Sequence, residues 1–165
     1  MLDDPFLEAV EARLSAVSGV RWEVVELDGD RLGVEVIFAD GHHTVMQVTR
    51  ESAPASNVDV LFIGRARSDI RRLLLAIQGK MVLSPLELAE IEARCRAASP
   101  APWTAFIEGE THWSGDDFIQ VSDHNNEPDL YLSPPPQAND LRFIAAARQD
   151  ILDLITAVTS RTNHE

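Results

Sequence analysis

The chain of 165 residues contains one sequence pattern twice, 81 residues apart. Residues 59–74 and 140–155 share Asp, Phe, Ile, Ala, Arg, Asp, Ile and Leu at eight equivalent positions. The same offset relates Trp22 to Trp103 and Arg13 to Arg94. We therefore predict an internal duplication, with a first repeat in residues 1–80 and a second in residues 81–165. The alternative is one compact domain in which both repeats pack about a pseudo-twofold axis.

Each repeat has the pattern helix, three strands, helix. Apolar residues recur at helical spacing in the first and last segments of each repeat, and tight turns at Asp28-Gly29-Asp30 and Asp40-Gly41 separate short apolar runs. Residues 51–56 are predicted to form a loop. The predicted strands are 21–27, 32–38 and 43–49, then 103–108, 118–121 and 130–132. The last helices are predicted at about 58–78 and 140–160.

These patterns predict an α+β fold, an internal duplication of an α-β-β-β-α unit. Strands linked by hairpins pair antiparallel, so each repeat should hold a three-stranded antiparallel sheet with its helices packed on one face. Phe62 and Phe143 open the apolar stripes of the two last helices, and we expect each to be buried between its helix and the sheet of its own repeat. Whether the two sheets join is not readable from the sequence.

Composition narrows the classes of function. The net charge of −13 disfavours direct binding to nucleic acid and favours a basic protein partner. No apolar run reaches the ~18 residues of a membrane span, and the acidic N-terminus predicts no signal peptide. The single cysteine, Cys95, fits a reducing compartment, so we expect a cytoplasmic protein without membrane contact.

The second repeat resembles a group of small bacterial and phage proteins of largely uncharacterised function. The residues that carry the resemblance are Pro102-Trp103 after a helix and Phe143-Ile-Ala-Ala-Ala-Arg148 at the start of the last helix. It spans about residues 97–158, and the first repeat keeps it in outline. The resemblance implies a fold unit and no particular activity. Genes of this kind often accompany phages or mobile elements, which favours an interaction or immunity role.

The strongest candidate site is acidic. Residues 108–129 contain seven carboxylates and no lysine or arginine, and the second repeat carries a net charge of −9 against −4 in the first. Aromatic anchors among carboxylates are typical of a surface that binds a basic protein, such as a toxin or nuclease. The alternative is a solvated, solubilising face. The candidate partner-binding residues are Glu108, Glu110, Trp113, Asp116, Asp117, Phe118, Asp123, Glu127 and Asp129. The leading hypothesis is a non-enzymatic protein of the immunity or inhibitor type.

A second hypothesis is a sensor or sequestering protein for a small anionic ligand. Arg67 and Arg148 lie at equivalent positions, and two guanidinium groups could clamp an anion between the repeats with Trp22 and Trp103 stacking beside it. The competing interpretation is structural: boundary arginines that anchor the helices, and tryptophans that belong to the core.

No catalytic motif stands out. Ser114 is not in a Gly-x-Ser-x-Gly sequence, and Cys95 falls on the apolar face of a helix, where an inert thiol is expected. Asp123 opens an alternation like that of an EF-hand loop, but Pro128 stands where glycine is needed. We therefore predict no enzyme activity, no cofactor and no metal. The residues that invite a metal-site interpretation are His42, His43, His112, His124, Asp116, Asp117 and Asp123. A metal-dependent hydrolase using His112, Asp116, Asp117, Asp123 and His124 stays open as a third hypothesis.

Overall fold

The computed structural model describes residues 4–50, 53–113, 115–122 and 129–164. Four helices lie in these residues: α1 Asp4–Ser15, α2 Asn57–Ile77, α3 Pro85–Ala97 and α4 Ala138–Thr162. Seven strands lie in them: β1 Arg21–Glu26, β2 Leu32–Ile37, β3 His43–Arg50, β4 Ala53–Pro54, β5 Trp103–Phe106, β6 Phe118–Val121 and β7 Leu130–Ser133.

The strands form one antiparallel sheet in the order β1-β2-β3-β7-β6-β5, and the short β4 pairs with β3 outside this path. β3 and β7 pair at the centre, with Val48 opposite Leu132 and Thr49 opposite Tyr131. The strands of residues 1–80 and those of residues 81–165 therefore join edge to edge. The α+β class and the antiparallel pairing agree with the prediction.

The predicted elements differ from the structure in detail. β5 ends at Phe106 instead of Glu108, and β4 lies in the segment predicted as a loop. Pro54 fits β4 because proline, which lacks an N–H group, is tolerated in strands at the margin of a sheet. Among the described residues, no helix combines the length and apolarity needed to cross a membrane.

Successive side chains of a strand point to opposite faces of the sheet. We call one side the packed face; its buried residues are Trp22, Val34, Val36, Met46, Val48, Leu130, Leu132, Ile119, Val121 and Trp103. The residues between them are exposed or half-buried and form what we call the outer face, which includes Glu23, Glu35, Thr49, Tyr131, Phe118 and Phe106.

Two aromatic pairs tie the halves of the chain together on the packed face. Phe62 and Phe143 are each 1% exposed, so the predicted burial is confirmed. The expectation placed each ring against the sheet of its own repeat, and the structure adds an aromatic neighbour from the other half. Phe143 lies edge-on to Trp22 with ring centroids 5.8 Å apart, and Phe62 lies edge-on to Trp103 at 5.1 Å. Each phenylalanine therefore packs against the tryptophan of the other half.

The path of α4 explains this crossing. The helix begins beside β2 and β3, where Asp140 shares a cleft with Val36 and Met46. It contacts β5 and β6, the strands of its own half, further along the sheet. Its first turn thus lines a cleft together with β2 and β3, and Phe143 in the next turn contacts Trp22.

Ion pairs cross between the halves in the same reciprocal way. Arg13 of α1 binds Asp150 of α4, and Arg94 of α3 binds Asp69 of α2, each at 2.8 Å. Both carboxylates are buried while both arginines are partly exposed. Burial raises the pKa of Asp150, and the Arg13 guanidinium opposes that rise. The arginine therefore offsets part of the desolvation cost of a buried charge.

Two glycines mark close approaches of the backbone. Gly19, between α1 and β1, has φ of +74°, and a Cβ there would lie 2.6 Å from the carbonyl oxygen of Ile37. Gly64 lies inside α2, where a Cβ would meet Cγ2 of Val24 at 2.5 Å. α2 therefore sits against β1 at a distance that only glycine permits.

Phe143→Ala should lower the free energy of unfolding by about 3–5 kcal/mol, the usual cost of removing a buried aromatic ring. Because the ring contacts Trp22, both halves should unfold in one transition. Denaturant titration followed by circular dichroism and tryptophan fluorescence would measure both effects. Phe62→Ala is the matched variant, and Val82→Ala, at a position 93% exposed, is the neutral control. A loss below about 1 kcal/mol, or two separate transitions, would contradict the cross-packing.

Gly64→Ala should destabilise the protein although alanine is the better helix former. The helix-propensity gain is about 1 kcal/mol, whereas overpacking costs about 1–3 kcal/mol. Val24→Ala should relieve the clash, so the double variant should be more stable than the sum of the two single changes implies. Strict additivity in a double-mutant cycle would show that the contact with Val24 is not the cause.

Candidate functional site

The loop between β5 and β6, residues 107–117, is held by local hydrogen bonds. The Ile107 N–H donates to the Thr111 hydroxyl at 2.6 Å, and that hydroxyl donates back to the Ile107 carbonyl at 3.2 Å. Across the base of the loop, the Glu108 N–H donates to the Asp117 carboxylate at 2.7 Å. The loop's two ends are thereby fixed to each other.

An aromatic cluster supports this loop on the outer face. Phe118 stacks parallel to Phe106 with ring centroids 4.9 Å apart, and it lies 5.6 Å from both His112 and Tyr131. Phe118 is half-buried by these contacts. We therefore interpret Phe118, a candidate partner-binding residue, as the support of the site instead of an exposed anchor.

A cleft of about 590 Å³ opens between this loop and the central strands β3 and β7. Its floor comes from the outer face, where Thr49 and Tyr131 are opposite each other in the sheet. Its full lining is Thr49, Glu108, Gly115, Asp116, Asp117, Tyr131, Leu132, Ser133 and Pro135. Among these residues the only charged side chains are the three carboxylates, so the cleft favours a cationic group.

The other predicted acidic residues lie in different surroundings. Glu110 forms an ion pair with Arg142 of α4, which neutralises its charge. Asp129 is half-buried near Tyr131. Asp123 and Glu127 lie outside the described residues. The structure therefore brings Glu108, Asp116 and Asp117 together at one cleft and separates Glu110 from them.

Trp113 belongs to the same loop and is 82% exposed. A tryptophan buries a large area when a partner covers it, and such residues are frequent hot spots of protein interfaces. The sequence predicted this residue as the aromatic anchor, and its exposure leaves the indole accessible.

The pKa of Tyr131 is affected by the carboxylates around the cleft. Burial is the main cause that raises the pKa of its phenol above the ordinary 10.0, and the negative charges of Asp129 and Asp116 raise it further. Asp116 lies in the loop and Tyr131 in the sheet, so a charge of the loop raises the pKa of a residue in the sheet. Carboxylate charges therefore act on a residue of the cleft floor.

No family model, curated protein or solved structure matches this chain. The resemblance to small bacterial and phage proteins accordingly stays a prediction.

The residues of the anionic-ligand hypothesis have intramolecular partners. Arg67 donates to the carbonyls of Ser18 and Gly19 at 3.2 and 3.0 Å, and the Trp22 indole N–H donates to the Ser18 carbonyl at 2.9 Å. Burial lowers the pKa of Arg67, which the charge of Asp140 partly counteracts. An anion at this position would have to displace these bonds.

The same arrangement recurs 81 residues later. Arg148 and the Trp103 indole both donate to the carbonyl of Ser99, at 3.1 and 2.9 Å. Arg148 also approaches the sulfur of Cys95 at 3.8 Å. Each arginine and tryptophan therefore fixes the segment between a helix and the strand that follows it, as the structural interpretation of the sequence expected.

The residues of the metal hypothesis are mostly dispersed. His42 binds Asp40 and His43 lies 3.4 Å from Glu35, both far along the chain from His112. His112 lies 3.8 Å from Asp117, and within the described ranges no group of three histidine, cysteine or acidic side chains is placed so that it could hold a metal ion. Asp123, His124 and Ser114 fall outside those ranges. Cys95 is buried, and burial raises the pKa of its thiol, which disfavours the nucleophilic thiolate.

Sequence reasoning identified only the three carboxylates of the cleft and missed the other lining residues, above all Thr49 and Tyr131 of its floor. Their side chains reach the site because β3 pairs with β7, and that pairing has no signal in the sequence. The carboxylates of residues 108–129 indicated the loop beside the cleft and gave no indication of Thr49 or Tyr131.

Asp116→Asn should lower the pKa of Tyr131, because it removes one of the negative charges that raise it. Tyr131 is the only tyrosine, so absorbance at about 295 nm during an alkaline titration reports this group alone. Glu110→Gln is the matched control, since Arg142 already neutralises Glu110. The raised pKa also means that unfolding releases a proton above pH ~10, so this group's contribution to stability should fall as pH rises through that range. An equal shift in both variants would contradict the assignment.

Proposed function

We propose that the chain is a non-enzymatic binding protein of the immunity or inhibitor type, which binds a basic protein partner through the outer face of its second half. The observation that carries this proposal is the cleft of about 590 Å³ whose charged lining, in the described residues, is Glu108, Asp116 and Asp117. We place the protein in the cytoplasm, in keeping with its single, buried cysteine.

The chemistry of the cleft suits an arginine or lysine side chain. A guanidinium can donate to two carboxylates at once and can stack on the face of an aromatic ring, here Tyr131. Burial is the main cause of the raised Tyr131 pKa, and the carboxylate charges that add to it would also attract the cation. Trp113 would supply apolar contact beside the charged group.

We also propose that the fold is an internal duplication with its helices on the packed face. The reciprocal contacts support this idea: Trp22 with Phe143 and Arg13 with Asp150 each have a counterpart at an offset of 81 residues. In such a duplication both halves contribute to the shared core. Their outer loops differ, so one half can carry a binding function that the other lacks.

Loop length supports that division. β1 and β2 are joined by five residues, 27–31, whereas β5 and β6 are joined by eleven, 107–117. β2 and β3 are joined by residues 38–42, and β6 and β7 by the longer 122–129. Binding residues are commonly carried by loops on a rigid scaffold, so the extra length at the acidic end favours a function there.

The experiment is capture from host lysate on immobilised protein at about 50 and 150 mM salt, with identification of bound proteins by mass spectrometry. We expect a basic protein, whose binding Trp113→Ala weakens about 30-fold or more, as for a hot spot of ~2 kcal/mol. Asp116→Asn with Asp117→Asn should also weaken binding and reduce its dependence on salt.

Glu8→Gln with Glu90→Gln is the matched control, because it removes two exposed carboxylates from α1 and α3 instead of the cleft. Binding should survive this change. Capture of no protein, or equal loss with both pairs of substitutions, would show that the cleft does not select a partner.

A further inference from the structure

We propose that a second cleft, at the junction of β2, β3 and the start of α4, binds a small organic cation: a protonated primary amine with a compact apolar body. This cleft has a volume of about 270 Å³ and takes walls from both halves of the chain. It is separate from the acidic cleft, with which it shares only Pro135.

The walls are mainly apolar. Val36, Phe38 and Met46 come from the first half, and the three prolines at 134–136 come from the segment before α4. Ser18, Thr44, Gln137 and Asp140 complete the lining. Apolar walls with a few polar groups are the usual composition of a site for a small molecule.

Asp140 supplies the chemistry that selects the ligand. The residue is only 2% exposed, yet it lines the cleft. One carboxylate oxygen accepts the Ser18 N–H at 2.7 Å, and across the described part of the chain the other oxygen accepts no hydrogen bond. An ammonium group carries three donors, and one of them can bind the Asp140 oxygen to which no described residue donates.

The equivalent residue 81 positions earlier shows what a completed site looks like. Asp59 accepts the Ser99 N–H with one oxygen and the Ser99 hydroxyl with the other, both at 2.6 Å. Ser18 also has a hydroxyl but donates only its N–H to Asp140. The difference therefore leaves one acceptor open at Asp140 and none at Asp59.

Arg67 does not fill this place. Its charge interacts with that of Asp140, but its N–H groups donate to the carbonyls of Ser18 and Gly19. The guanidinium thus reduces the cost of the buried carboxylate while its donors point elsewhere. An anionic ligand would meet the Asp140 charge, so the cation is the better match.

The test is an NMR titration of the full-length, ¹⁵N-labelled protein with 2-phenylethylamine at neutral pH. The amide of Ser18 and the side-chain amide of Gln137 should shift saturably. 2-Phenylethanol has the same apolar body without the charge and should bind about tenfold more weakly, and 3-phenylpropionate should not bind, as expected for a lost charge-assisted bond. Equal binding of amine and carboxylate, or no shift up to about 10 mM amine, would overturn the proposal.

Asp140→Asn keeps an acceptor for the Ser18 N–H and should weaken amine binding about tenfold or more. Asp59→Asn is the matched control and should leave it unchanged. Thr44→Phe, which fills the cleft from a half-buried position, should abolish binding even if Asp140→Asn does not fold. Full amine binding by Thr44→Phe would also overturn the proposal.

Discussion

The packing of each tryptophan against the phenylalanine of the other half is the contact on which the rest of the structure depends. Trp22 with Phe143 and Trp103 with Phe62 cross the molecule in opposite directions. Neither half can complete its own core, since the ring that covers its tryptophan belongs to the other half. The ion pairs Arg13–Asp150 and Arg94–Asp69 follow the same crossing and bring buried carboxylates with them.

These crossing contacts lie on the packed face and leave the outer face of the sheet without a role in them. The buried strand side chains all lie on the packed face, and α2 contacts β1 and β2 while α4 contacts β5 and β6, so the outer face need not hold the core together. Tyr131 and Thr49 at the central strands can then form the floor of a cleft, and the 107–117 loop can rise over it. The carboxylates repel one another, yet they lie on the part of the molecule where the core does not depend on them.

The helices and most strands were predictable because their periodicity is local. The apolar stripe that begins at Phe62 and the one that begins at Phe143 each show the 3.6-residue repeat of a helix. The β3–β7 pairing was not predictable, because alternating strands carry the same pattern whichever strand lies beside them. The contents of the acidic cleft and the partner of each phenylalanine depend on that long-range topology, so the sequence could indicate the loop but not its floor.

The proposed duplication also separates what a repeat must keep from what it can change. Arg67 and Arg148 both hold the segment after the first helix of their half, and any change there would disturb the crossing of the chains. Asp59 and Asp140 each accept the N–H of a serine. Only at Asp59 does the serine hydroxyl also donate to the second carboxylate oxygen. A ligand that donates to the open oxygen of Asp140 would add a charge-assisted hydrogen bond there. The position where the two halves differ in polar satisfaction is therefore where a ligand would restore the missing bond and stabilise the protein.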